Sequence, residues 1–289
     1  MNVDVTTTAV DQTVRRAAVL GSPIEHSLSP VLHGAAYQAL DLHGWHYDKI
    51  ECDEAGLPGL VDSMGPEWAG LSLTMPLKRV ALTVAGEVSP LAQAVGAANT
   101  LVFPAAGPAG GRQAHNTDVA GMVAALEEAG LTRVGQAVIL GAGGTAQSAL
   151  AAVRELGHES PVVLVRNLAR TGELRETAER LGMRPTISGG LFTEPLPSAG
   201  LVISTLPGGA ADPLSATRWK PGTTVLDVVY APWPTPFAGS ALAAGCPVVS
   251  GLTVLLHQAV AQVELMTGRP GPVEAMRTAL VAAVAARQG

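Results

Sequence analysis

QAVILGAGGTAQSALAAVREL, residues 136–156, reads as a strand, a glycine turn and a helix in direct succession. The β run ends at Leu140, and an alanine-rich helical run follows the glycines. Gly141-Ala142-Gly143-Gly144-Thr145-Ala146 therefore fits the G-x-G-x-x-A turn of dinucleotide-binding α/β domains, in the strand-before, helix-after context that the motif requires. The glycines let backbone approach a pyrophosphate, and the helix N-terminus supplies free N–H donors.

The next strand, PVVLV, ends at Val165 and is followed by Arg166, with Arg170 four residues on. A site for NAD places an Asp or Glu about 20 residues beyond the turn, where it accepts from the ribose 2′-hydroxyl. A guanidinium accepts nothing, but it forks onto a 2′-phosphate, and a second arginine one helical turn away joins it. The expected cofactor is NADP. Residues 134 to about 250 then form one dinucleotide-type α/β unit, and two apolar helices, 251–267 and 272–286, finish the chain.

Towards the N-terminus, residues 17–20, 45–50 and 70–74 read as strands with helices after each, the rhythm of a parallel or mixed sheet. Ser29 before Pro30 has the form of an N-cap and first-turn pair opening a helix with Val31, Leu32, Ala35, Ala36, Ala39 and Leu40 on a helical period. Lys78 follows a strand ending at Thr74, at the mouth of a helix begun by Pro76. FPAAGPAGGR, residues 103–112, reads as a hairpin loop, and TDVAGMVAALEEAG as a helix ending at Gly130, near a domain boundary.

With 289 residues, two cores are expected. The composition, 47% hydrophobic and 15% charged, is that of a chain folded throughout. A net charge of −6 without a Lys/Arg block argues against nucleic acid as a partner. No stretch approaches the roughly 18 apolar residues of a membrane span, and the N-terminal residues lack a basic start and an apolar h-region, so neither export nor membrane insertion is expected. Cys52 and Cys246, far apart, do not form a disulfide framework, so a cytoplasmic location is expected. His43, His46 and Cys52 have no recognised metal spacing, and HExxH, CxxC and GxSxG are absent, so no metal is expected.

Taken in order, GSPIEHSLSP (21–30), LSLTMPLK (71–78), GAANT (96–100), HNTDVAG (115–121), GAGGTAQSA (141–149) and GLTVLLHQA (251–259) resemble the shikimate dehydrogenase family, from about residue 17 to the C-terminus. The resemblance implies NADP-dependent, reversible reduction of 3-dehydroshikimate to shikimate. It implies an α/β fold of two domains, an N-terminal α/β substrate domain (15–117 with 255–289) and a Rossmann-type NADP domain (118–254), the C-terminal helices returning to the first. Residues 1–14 are expected to be a flexible tail.

By the same resemblance Ser27 and Ser29 hold the substrate carboxylate with Tyr230 nearby, and Thr74, Asn99, Asp118 and Gln258 bind ring hydroxyls. Lys78 and Asp118 match the catalytic pair, while Thr205, Leu206 and Gly251 fall on the nicotinamide side. The residue types suit a polyhydroxylated ring acid, which needs a hydroxyl or amide partner for each OH. Ser72 stands where the commoner pattern has Asn, Val119 where Gly is commoner, and Val165-Arg166-Asn167 replaces Asn-Arg-Thr. The alternatives are an NAD-dependent quinate/shikimate dehydrogenase and a non-catalytic ligand-binding paralogue. The expected assembly is a monomer or a homodimer.

Overall fold

A computed structural model describes residues 14–104, 111–193, 196 and 198–288. Its first part runs β1 (Arg15–Gly21), α1 (Ser29–Ala39), β2 (Trp45–Glu51), α2 (Leu57–Asp62), β3 (Trp68–Leu73), α3 (Ala81–Val84), β4 (Glu87–Val88), α4 (Pro90–Val95), β5 (Thr100–Val102), β6 (Gln113–His115) and α5 (Asp118–Glu128). The second part runs β7 (Ala137–Leu140), α6 (Gly144–Glu155), β8 (Val162–Leu164), α7 (Gly172–Arg180), β9 (Thr186–Ser188), β10 (Leu201–Ser204), β11 (Thr224–Asp227), α8 (Pro236–Ala243) and β12 (Val248–Ser250). Two long helices, α9 (Gly251–Thr267) and α10 (Val273–Gln288), close it.

Strands β7 to β12 form a six-stranded parallel sheet in the order β9-β8-β7-β10-β11-β12. Every residue of β7, β10 and β11 is buried, which is why these strands are unbroken apolar runs with no alternation. This is the doubly wound order, whose direction reverses between β7 and β10, and ligands of such sheets bind beyond the carboxyl ends of the strands at that switch. Gly141 sits there at φ +111°, and a Cβ on it would lie 2.6 Å from the Thr205 Oγ1 at the end of β10. Glycine is thus required twice over, for the left-handed backbone and for the close approach.

The other sheet is mixed, in the order β2-β1-β3-β5-β6-β4. β1 pairs in parallel with β2 and β3, whereas β5 runs antiparallel to β3 and to β6. Leu20, Leu71 and Leu101, fully buried on these strands, each contribute about 1.5–3 kcal/mol of transfer free energy. The loop joining β5 to β6 matches the expected hairpin, though residues 105–110 lie outside the described residues, as do 1–13 of the expected tail.

Helix α5 leads from the first sheet into the second, and α9 leads back. They cross so closely that a Cβ on Gly121 would stand 2.8 Å from the Gln258 Cβ and 2.9 Å from the Val254 oxygen. Beyond the crossing α9 packs with α1 and α10 in an apolar cluster that includes Leu28, Leu32, Leu256, Val263, Met276 and Leu280. The C-terminal helices therefore lie against the first sheet's helix, as the resemblance implies.

Two local readings are corrected. Ser29 does not cap α1: Leu28 occupies the cap position without a side-chain hydrogen bond, and Ser29 with Pro30 lies inside the first turn. Residues 75–80 form turns, and helix begins only at Ala81, so Lys78 sits in a turn. Among the described residues no helix is long and apolar enough to cross a membrane, and no cluster of metal-ligating side chains occurs.

Candidate active site

The turn after β3 places Lys78 at the carboxyl edge of the first sheet. Leu77, wholly buried, anchors the turn from within, and the Ala98 N–H donates to the Lys78 carbonyl at 2.7 Å. Opposite it, Asp118 opens α5, where a carboxylate meets the positive end of the helix. The Lys78 Nζ lies 2.5 Å from Asp118 Oδ2, with the two side chains 27% and 16% exposed. The other oxygen, Oδ1, accepts from Asn99 Nδ2 at 2.9 Å. Asn99 is oriented in turn because its Oδ1 accepts the Thr117 N–H at 2.7 Å.

This pair stands in a cleft of about 450 Å³ lined by all the residues expected to bind substrate: Ser27, Ser29, Thr74, Asn99, Tyr230 and Gln258 with Lys78 and Asp118. Thr145 and Gly251 reach the same cleft from the dinucleotide side. The Ser29 N–H donates to Ser27 Oγ at 3.2 Å, which holds the two serines side by side. A second cavity of about 400 Å³, between α9 and α10, is lined largely by aliphatic side chains with Arg277 and has no comparable set of paired polar groups.

The remaining cofactor candidates flank the cleft without lining it. Gly141, Gly143, Gly144 and Ala146 form the turn and first residues of α6, while Thr205 donates to the Leu140 carbonyl from both its N–H, at 3.0 Å, and its hydroxyl, at 2.7 Å. Leu206 is buried beside it. Gly143 caps α6 without a side-chain hydrogen bond, and the space where Gly143 and Gly144 would carry a Cβ is open. No capping side chain therefore competes for the first N–H groups of this 12-residue helix, and the glycines leave room for a pyrophosphate to approach them. Arg166 and Arg170 are exposed beyond β8, and neither forms an ion pair among the described residues.

Comparison with known proteins finds relatives along most of the chain. Residues 19–101 match the family model for the shikimate dehydrogenase substrate binding domain, and residues 251–281 that for the shikimate 5'-dehydrogenase C-terminal domain. The NADP(+) shikimate dehydrogenase of Desulfitobacterium hafniense is 36% identical over 277 residues, covering 94% of this chain and 99% of that one. The chain belongs to the shikimate dehydrogenase family, a family of oxidoreductases. Among solved structures, the Mycobacterium tuberculosis shikimate dehydrogenase is 44% identical with TM-score 0.81, covering 93% of this chain and 99% of that one. The Thermus thermophilus shikimate 5-dehydrogenase, solved with NADP(H) and shikimate, is 32% identical with TM-score 0.80, covering 93% and 100%.

Behind the cleft lies a polar layer that sequence reasoning about the family did not find. Tyr47 donates to Ser72 Oγ at 2.6 Å, and Ser72 donates to Gln262 Oε1 at 2.7 Å. His33 stacks on Tyr47 with ring centroids 4.0 Å apart, and its Nε2 lies 3.3 Å from the same Gln262 oxygen. One signal was available for Gln262: it falls four residues after Gln258, hence on the same face of a helix. None existed for His33 or Tyr47, whose partners come from elements distant in sequence.

Burial drives the His33 imidazole down to about 3, and the Gln262 hydrogen bond offsets only part of that. The unfolded chain, with histidine near 6.5, then binds a proton that the folded chain refuses. The sign follows: stability present above about pH 6.5 is lost as pH falls towards 3, by up to about 1.4 kcal/mol per unit. The melting temperature of the parent should therefore fall more steeply between pH 6.5 and 4 than that of His33→Phe, which keeps the ring stack. Equal slopes would count against it.

Proposed function

We propose that this protein catalyses the reversible, NADP-dependent interconversion of 3-dehydroshikimate and shikimate in aromatic amino-acid (chorismate) biosynthesis. The observation that carries the reading is the Lys78–Asp118 pair, 2.5 Å apart, in a cleft lined by hydroxyl and amide side chains and reached from the dinucleotide side by Thr145 of the glycine turn. The domains are 15–117 with 255–289 for the substrate and 118–254 for the cofactor. A cytoplasmic location suits two buried, unpaired thiols, Cys52 and Cys246.

Ser27 and Ser29 donate to the substrate carboxylate, beside Tyr230. Thr74, Asn99, Asp118 and Gln258 take the ring hydroxyls. NADP is held at its pyrophosphate by the turn Gly141, Gly143, Gly144, Thr145 and Ala146, at its 2′-phosphate by Arg166 and Arg170, and towards its nicotinamide by Thr205, Leu206 and Gly251. When bound, that cofactor supplies or accepts the hydride. In reduction the ketone oxygen gains negative charge, and the Lys78 ammonium stabilises that charge and gives up a proton to it, leaving a neutral amine. In the oxidation direction the amine takes the hydroxyl proton back. Asp118 holds the Lys78 nitrogen against the reacting oxygen throughout.

The test is the rise in reduced-nicotinamide absorbance with shikimate, run with NADP and NAD and with quinate as the control substrate. Rapid reduction of NADP by shikimate is expected. Activity mainly with NAD or quinate would replace this reading with that of a quinate/shikimate dehydrogenase, and ligand binding without turnover with that of a regulatory paralogue.

A further inference from the structure

Gln262 is 1% exposed, lies at the back of the cleft, and uses its whole hydrogen-bonding capacity within the protein. Its oxygen accepts from Ser72 Oγ at 2.7 Å and faces His33 Nε2 at 3.3 Å. Its amide nitrogen donates to the Asn99 carbonyl at 3.2 Å and to Thr100 Oγ1 at 3.0 Å. A primary amide has two protons and two lone pairs, so every one is committed and none is left for a ligand. Reversing the amide would set its oxygen against the Asn99 carbonyl, which can only accept, so that contact fixes the orientation.

The orientation propagates. Thr100 Oγ1, already accepting from Gln262, must send its own proton to Asn99 Oδ1, 3.0 Å away. Asn99 Oδ1, which also accepts the Thr117 N–H at 2.7 Å, is thereby held as the acceptor end by a second donor, and Nδ2 is turned to Asp118 Oδ1 at 2.9 Å. In the reversed amide an oxygen would face the Asp118 carboxylate, and the carboxylate would be pushed out of its contact with Lys78. At the far end the Tyr47 hydroxyl has a similar effect on Ser72: by donating to it, at 2.6 Å, it leaves the Ser72 proton for Gln262. His33 is fully buried and Tyr47 partly so, and burial raises the phenol and lowers the imidazole, so neither changes protonation where the enzyme works. A serine at 72 is what admits this arrangement, since its short hydroxyl fits between Tyr47 and Gln262 on a strand where the commoner family residue is Asn.

We infer that Gln262 is a positioning residue for catalysis, acting through Thr100 and Asn99 to hold the Asp118 carboxylate, and with it Lys78, in the reactive arrangement. It makes no contact with the reacting atoms. The inference rests on the shikimate dehydrogenase reading for its kinetic consequence, but the geometry it assigns is independent of the substrate.

The test compares Gln262→Met, which keeps the length and removes the amide, with Thr100→Val, which cuts the next link. In each, kcat with shikimate is expected to fall roughly 10- to 100-fold, the scale of misplaced catalytic groups, with KM for NADP unchanged. In an Asp118→Asn background the further loss from Gln262→Met should be less than about twofold, since groups acting as one unit are non-additive. A structural defect alone would multiply with the Asp118 effect. The Asn99 side-chain amide signal, followed by 15N NMR and assigned by its disappearance in Asn99→Ala, gives a readout that requires no turnover. It should move in both Gln262→Met and Thr100→Val. Unchanged kcat in folded variants, multiplicative losses, or an Asn99 signal unmoved in both would overturn the inference. A parent inactive with shikimate would overturn the functional reading instead, with the NMR comparison still deciding this one.

Discussion

Lys78→Ala lowers kcat for shikimate oxidation by about 10²- to 10⁴-fold, the range that a positioned acid or base contributes, while KM for shikimate stays within a few-fold. The split follows from what the ammonium does. In the proposed reading the ring is held by the hydroxyls and amides that line the cleft, from Ser27 and Ser29 to Gln258, contacts made equally in ground and transition states. Only the charge forming on the reacting oxygen needs a proton donor at Lys78, so the loss appears in turnover. Asp118→Asn removes the carboxylate 2.5 Å from the Lys78 nitrogen but leaves a side chain of the same shape. Adding it to Lys78→Ala should cost little more, because an oriented base that is absent gains nothing from its orienter. Steady-state rates at saturating NADP check both, and turnover within threefold of the parent in Lys78→Ala would assign the proton transfer elsewhere.

How far the sequence carries depends on whether a feature is local. The β7–turn–α6 unit is legible because every element of it lies within residues 136–156, and its glycines are demanded by backbone geometry that no other residue supplies at Gly141. The Lys78–Asp118 pair is different: its members are 40 residues apart, and each taken alone reads as a surface lysine and a helix-start carboxylate. Only the ordered set of motifs brings them together. Local chemistry also misled where tertiary packing competes with it. Ser29 has the residue types of a cap, yet its backbone N–H turns to Ser27 and the helix begins one position earlier, so the hydroxyl is left on the cleft. Beyond the four-residue spacing of Gln258 and Gln262, the polar layer was not legible, because its members come from α1, β2, β3, β5 and α9, with separations of up to 229 residues, and no period encodes such a set.

Replacing Arg166 by Asp should reverse the cofactor preference, lowering kcat/KM for NADP by about 10²- to 10³-fold, with that for NAD unchanged or raised. Hydrogen bonds to a charged group contribute about 1.5–3 kcal/mol each, and a guanidinium presents two in one plane to a phosphate. The new carboxylate removes the fork, repels the dianionic 2′-phosphate, and offers the acceptor that a bare ribose hydroxyl needs at this position. The surroundings suit the proposed phosphate contact. Asn167 accepts from the Ala169 N–H at 2.9 Å and starts a short helical turn, Leu168–Arg170, which brings the second arginine round without a carboxylate between the two. The nearest acid further along the chain, Glu173, is already engaged by Nη1 and Nη2 of Arg79 and by Gln147 Nε2 at 3.5 Å. Arg170→Ala, which removes one guanidinium and adds no opposing charge, should give a smaller loss of the same sign. Because both arginines are exposed, the discrimination is screened by salt, so the NADP-to-NAD ratio of the parent should narrow between 0.01 M and 1 M ionic strength, where the Debye length shrinks from about 30 to about 3 Å. An Arg166→Asp enzyme that keeps the parent's NADP preference would place the 2′-phosphate away from this loop.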